Sequence, residues 1–296
     1  MLPREVLRQI RRLHVRARRA VEDLLGGEYH SVFKGTGLAF EEVRAYQPGD
    51  EIRAIDWNVT ARMGQPFIKR YIEERELTVM LLIDCSGSHD FGTRFQSKRE
   101  VIAELAAVLA FSAVSNNDKV GLLAFSDVIE RFVPPRKGTR HVLRIIRDIL
   151  FFQPQRRGTS LKIAFDYVNR LLHRRSIIFA LSDFQDSGFA PSFKRTARRH
   201  DLIAVRVVDP VEENLPAIGL IELEDAESGA RRLLDTGSRA VRLAYTANSS
   251  SRRKFLEQLA HSSGADLVEV STEGGHLEAL TRFFRLREQR LRRTRG

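Results

Sequence analysis

Cysteine and tryptophan each occur once in the 296 residues. With Cys85 alone, no disulfide can close within the chain, and a reducing compartment is expected. Long apolar runs are missing as well. No segment approaches the roughly 18–20 apolar residues that a membrane helix needs. Met1 to Ala20 holds seven arginines without the apolar core of a secretory signal. These absences point to a soluble, cytoplasmic protein, with only peripheral contact with a membrane left open.

Catalytic signatures are lacking too. Asp84 as the nucleophile of a haloacid-dehalogenase-type phosphatase would need a second Asp where Ser86 stands. A Cys-x5-Arg phosphatase built on Cys85 would need arginine where the chain has Phe91. Gly87 followed by Gly92-Thr93-Arg94 lacks the Gly-Lys-Ser/Thr ending of a phosphate loop. An α/β-hydrolase elbow around Ser86 would need glycine at position 84. No motif places a histidine as general base, which also weighs against metal-activated hydrolysis. A protein without catalytic activity is expected.

Charge is in excess only at the ends. The formal net charge is +11; residues 1–20 and residues 282–296 each contribute +6, which leaves the middle at −1. Arginine-rich arms suit RNA, an acidic partner or anionic lipid. A nucleic-acid-binding protein using these arms is therefore the alternative function, and its binding would weaken steeply with salt. No nucleic-acid motif or array of stacking aromatics accompanies the arginines, and solvated helix faces account for them more simply.

What the chain does have is a globular composition, 43% hydrophobic and 29% charged, and enough length for a full α/β core with an appended segment. Val6, Ile10, Leu13, Ala17, Val21 and Leu24 share one face at helical spacing and predict an amphipathic helix ending near Gly26-Gly27. Residues 35–76 read as short extended pieces around a turn at Pro48-Gly49-Asp50, with Trp57 expected at a small packing centre.

The chain is then organised around Leu77-Thr78-Val79-Met80-Leu81-Leu82-Ile83-Asp84-Cys85-Ser86-Gly87-Ser88. Its apolar run does not alternate, as in a strand buried on both faces. Further apolar strands are predicted at 119–125, 176–182, 201–208 and 266–270, with 128–133 as an edge hairpin partner. Helices are predicted at about 97–115, 139–150, 161–172, 252–262 and from His276. An inserted hairpin within about 211–240 pairs 218–224 with 231–235 and turns at Glu227-Ser228-Gly229. Alternating strands and helices imply a doubly wound α/β fold with a mostly parallel sheet. The division expected is 1–76, an N-terminal helix plus a small β-rich segment, and 77–296, the α/β domain with its inserted hairpin.

Two strands of this set end on carboxylates, Ile83-Asp84 and Ser182-Asp183, and a Gly158-Thr159 loop lies between them in sequence. In open α/β sheets, strand tips and such loops converge where ligands bind. The hydroxyls of Ser86, Ser88 and Thr159, with Asp84 and Asp183, form a hard-oxygen set suited to Mg²⁺ or Mn²⁺. Read alone, Asp84, Ser86 and Ser88 equally suit a strand-ending turn with an N-cap. Cys85 reads as a strand-end packing residue rather than a nucleophile.

The order Asp84-x-Ser86-x-Ser88, Thr159, Asp183 resembles the metal-ion-dependent adhesion site of von Willebrand factor A domains over residues 77–210. Phe184 departs from it, standing where adhesion receptors carry glycine, so the turn after Asp183 is expected to differ. Gly37-Leu38-x-Phe40, Arg44-x-Tyr46, Gly49-Asp50, Arg53-x-Ile55-Asp56-Trp57, Ala61-Arg62 and Glu73-Glu74-Arg75 resemble the bacterial domain-of-unknown-function 58 family. The two resemblances imply a von Willebrand A-like domain working with a MoxR-type AAA+ ATPase. They also imply a Mg²⁺ or Mn²⁺ ion at the five residues named, and client proteins that offer it an Asp or Glu.

Overall fold

A computed structural model describes residues 15–17, 19–21, 29, 32–33, 39–72, 76–92 and 96–293. The expected N-terminal helix lies mostly outside them; residues 15–17 and 19–20 are helical. The chain divides into two compact units, residues 33–77 and the remainder, and the stretch before residue 33 groups with 78–296. Tyr29 shows why: its hydroxyl donates to Asp118 Oδ2 at 3.2 Å, and its ring meets Phe284 edge-on at 6.1 Å.

In the smaller unit, β1 (Ala39–Ala45) pairs antiparallel with β2 (Phe67–Ile72) through a bulge between Phe40 and Glu42. The intervening sequence is not wholly extended, because Trp57–Met63 forms a helix, α1. Asp56 starts it by accepting the otherwise unpaired N–H groups of Asn58 and Val59. Trp57 is not the packing centre expected of it. It is 68% exposed, and the cap residue Asp56 is the buried member of the pair. Arg44 grips Asp50 with two hydrogen bonds of 2.9 and 2.8 Å, and Asp50 also accepts the Gln47 N–H. That fork holds the Asp50 carboxyl below its ordinary range. Gly49 completes the turn at φ 109°, a conformation that side chains resist.

The larger unit is built on β3 (Thr78–Asp84), which lies between β4 (Lys119–Phe125) and β6 (Ile177–Ser182). Beyond β6 come β7 (Asp201–Val208) and β10 (Asp266–Ser271); β5 (Ile129–Arg136) forms the other edge. Neighbours run parallel except β5 on β4, where Pro134 and Pro135 fall opposite a bulge.

Met80 and Leu82 of β3 join Leu123 and Phe125 in a core with α4 (Leu161–Leu171), α5 (Ala190–Arg199) and α7 (Arg239–Ser263). Side chains alternate along a strand, so Val79, Leu81 and Ile83 face the other layer, where α2 (Lys98–Ser115) packs. Coverage on both faces is why β3 carries no polar alternation. Helices α3 (Thr139–Phe151) and α8 (His276–Arg293) and the short α6 (Pro210–Glu213) complete the unit.

Two-stranded β8 (Leu220–Glu224) and β9 (Arg231–Asp235) form the inserted hairpin in the expected register region. Helix α7 is longer than the 252–262 predicted. Its first turns expose Leu243 at 58%, and such a face carries no apolar stripe to read. Among the described residues, no helix is long and apolar enough to cross a membrane.

Candidate metal site

The sheet order reverses direction between β3 and β6, and both strands end at the same crevice with a carboxylate. Asp84 is buried. Its Oδ1 accepts the Ser86 N–H at 3.0 Å, and its Oδ2 accepts the Ser182 hydroxyl at 2.6 Å. Ser182 Oγ in turn accepts the Phe184 N–H at 3.0 Å, so one hydroxyl ties both strand tips together.

Ser86 Oγ and Ser88 Oγ lie 3.1 Å apart at the start of the short 3-10 turn Gly87–Asp90. The Thr159 loop reaches this turn through a hydrogen bond from Gly87 N–H to the Arg157 carbonyl at 2.9 Å. The loop is itself anchored. Glu130 accepts the N–H groups of Gln155 and Arg156, and the Ser126 carbonyl accepts that of Ser160. Asp84, Ser86, Ser88 and Asp183 therefore line adjacent strand tips, and Thr159 is held beside them by backbone.

Several members of the site were not among the residues named from sequence. Lys98, fully buried, places its ammonium 3.0 Å from Asp183 Oδ2 and 2.6 Å from Glu212 Oε2. Burial opposes the Lys98 charge, but Asp183 and Glu212 outweigh it and raise its pKa. Burial likewise opposes ionisation of Asp183, yet Lys98 holds that carboxyl well below its ordinary value. His89 Nδ1 faces Ser86 Oγ at 3.2 Å and Asp84 Oδ1 at 3.6 Å, and its buried Nε2 has no hydrogen-bond partner among the described residues.

The hairpin is the other contributor. Thr159 donates its hydroxyl to Glu227 Oε1 at 2.5 Å. Partial desolvation raises the Glu227 pKa; Thr159 counters this, while Asp84 and Asp183 push it further up.

No three His, Cys, Asp or Glu side chains gather as a ligand cluster among the described residues, so hydroxyls would have to supply much of any coordination shell. Their spacing fits that task. Six oxygens at about 2.1 Å around a Mg²⁺-sized ion lie roughly 3 Å apart along each edge, and the two serine oxygens stand at 3.1 Å. Lys98 answers the carboxylates of Asp183 and Glu212, while Asp84 faces Ser182 and His89 and Glu227 faces Thr159, so the crevice is rich in carboxylate and hydroxyl oxygens.

Phe184 takes φ 55°, the left-handed region that glycine favours, so the backbone makes the turn in spite of its side chain. The ring is buried against Phe189 at 6.1 Å, which over-determines the conformation. Burial pushes the Cys85 thiol up to about 12, as suits an inert strand-end residue.

A family model described as "Protein of unknown function DUF58" matches residues 42–255. "Uncharacterized protein Rv1480" of Mycobacterium tuberculosis is 30% identical over 277 residues, 93% of this chain and 87% of that one. Among solved structures, an aerotolerance-related membrane protein from Bacteroides fragilis superposes with a TM-score of 0.50 at 16% identity, covering 72% of this chain and 99% of that one. The SpRpn10 VWA domain is similar over 69% of this chain and 94% of that one, with a TM-score of 0.43 and 13% identity. The fold is the mostly parallel, doubly wound α/β architecture expected from sequence.

Proposed function

The chain belongs to the DUF58 family, and we propose that it is a non-enzymatic, divalent-metal-dependent protein-binding module. In this reading Asp84, Ser86, Ser88, Thr159 and Asp183 hold a Mg²⁺ or Mn²⁺ ion, and a client protein presents an Asp or Glu carboxylate to it. The family resemblance further suggests work alongside a MoxR-type AAA+ ATPase in maturing or remodelling protein complexes.

The observation that carries the reading is the 3.1 Å pair of serine hydroxyls beside a buried carboxylate, at the carboxyl end of the central strand. When bound, the ion would supply a positive centre for an incoming carboxylate. The chain's own groups do the positioning. Ser182 and the Ser86 N–H fix the Asp84 carboxylate, Lys98 fixes that of Asp183, and the Gly87–Arg157 hydrogen bond keeps the Thr159 loop in place.

A binding role is supported over a catalytic one by the arrangement at His89. The same ring nitrogen faces both Ser86 and Asp84, whereas a nucleophile–base–orienter chain uses the two ring nitrogens for separate partners.

Titration calorimetry of Mg²⁺ and Mn²⁺ into the wild type and Asp84→Ala tests the reading. Saturable binding that the variant loses is expected. Equal binding by both proteins, or none by the folded wild type, would overturn it.

A further inference from the structure

The inserted hairpin is positioned as part of the crevice. Its turn is prefolded: Asp225 Oδ1 accepts the N–H groups of Glu227 and Ser228, and Asp225 Oδ2 accepts the Ser228 hydroxyl at 2.9 Å. The tip closes tightly on the serine loop. A Cβ at Gly87 would lie 2.3 Å from the Ala226 carbonyl oxygen, so only glycine admits this approach. The next residue, Glu227, points its carboxylate at the Thr159 hydroxyl.

We propose that Glu227 is the site's built-in carboxylate ligand, so that a client's Asp or Glu enters by displacing the hairpin tip. The inference rests on the metal reading above and adds what the site holds before a client arrives. A partner carboxylate was expected in the open coordination position, and the chain brings one of its own to Thr159. Asp84 and Asp183 repel that carboxylate, an arrangement that a divalent cation among them reverses. The occupant the site selects is then an acidic side chain on a reachable backbone turn or extended peptide, matched to the group it replaces.

The test uses Mn²⁺ alone with the full chain, as wild type, Glu227→Gln and Glu227→Ala. Affinity is read by titration, and open coordination positions by water-proton relaxation per bound ion. Both variants are expected to bind Mn²⁺ on the order of tenfold more weakly. They should also show a larger relaxation enhancement, because water takes the vacated position. Glu227 sits in an exposed turn whose shape depends on Asp225 and Ser228, and circular dichroism checks that the fold is kept. Wild-type affinity and enhancement in both variants would overturn the role of Glu227 while leaving the metal site standing. Absence of Mn²⁺ binding in the folded wild type would overturn both.

Discussion

The Lys98 ammonium lies 3.0 Å from Asp183 Oδ2, with neither side chain more than 2% exposed, and Glu212 closes on the same ammonium at 2.6 Å. A lysine in the first turn of α2 thereby fixes a carboxylate at the tip of β6, 85 residues on. Removing one partner of a buried ion pair strands the others without solvent, which typically costs about 3–5 kcal/mol. Lys98→Met is expected to lose stability on that scale in urea unfolding. Adding Asp183→Asn and Glu212→Gln to it should restore much of the loss. A Lys98→Met protein as stable as wild type would show that the pair contributes nothing.

Gly87→Ala should act at a distance from its own loop. The new methyl would meet backbone of Ala226 rather than a flexible side chain, so the hairpin tip is expected to move away from the serine loop. Amide exchange at residues 225–230 should quicken, with strands β3 and β6 unchanged. Unchanged exchange at the tip would mean that the serine loop yields instead.

His200 gives the protein an acid sensitivity. Its ring is buried with no hydrogen-bond partner for either nitrogen among the described residues, and burial lowers its pKa to about 4, helped by Arg199 and Arg175. The unfolded chain protonates this histidine near its ordinary value of about 6.5. Between the two values the unfolded state binds the extra proton, so stability rises with pH across that window and falls as pH drops toward 4. The slope from this one group cannot exceed about 1.4 kcal/mol per pH unit. His200→Leu should flatten this part of the stability profile; an unaltered profile would assign the sensitivity elsewhere.

The legible part of the molecule was the part written in contiguous residues. β3 and β6 announce themselves because both faces are covered, and each apolar run stops at its carboxylate. Asp84, Ser86 and Ser88 lie within one loop and were readable together. Lys98 was not: nothing in Ser97-Lys98-Arg99-Glu100 distinguishes a buried cation from a solvated one until β6 and α6 arrive from later sequence. Glu227 was read as part of a turn, and its meaning depends on where the hairpin falls. Phe184 is a case of the opposite kind: a bulky residue stands at a positive φ, and its burial against Phe189, which holds it there, is invisible in the local sequence. Trp57, the single tryptophan, suggests a packing centre by its rarity, although the cap at Asp56 sets the local geometry.

The sheet's β5 edge carries a last consequence. Pro134 and Pro135 remove two amide donors where the strand already bulges against β4. A foreign strand aligning there would find its hydrogen-bond ladder interrupted, so this rim is a poor template for runaway stacking of chains. The sheet's other margin, β10, lies at the far end from this proline-blunted border.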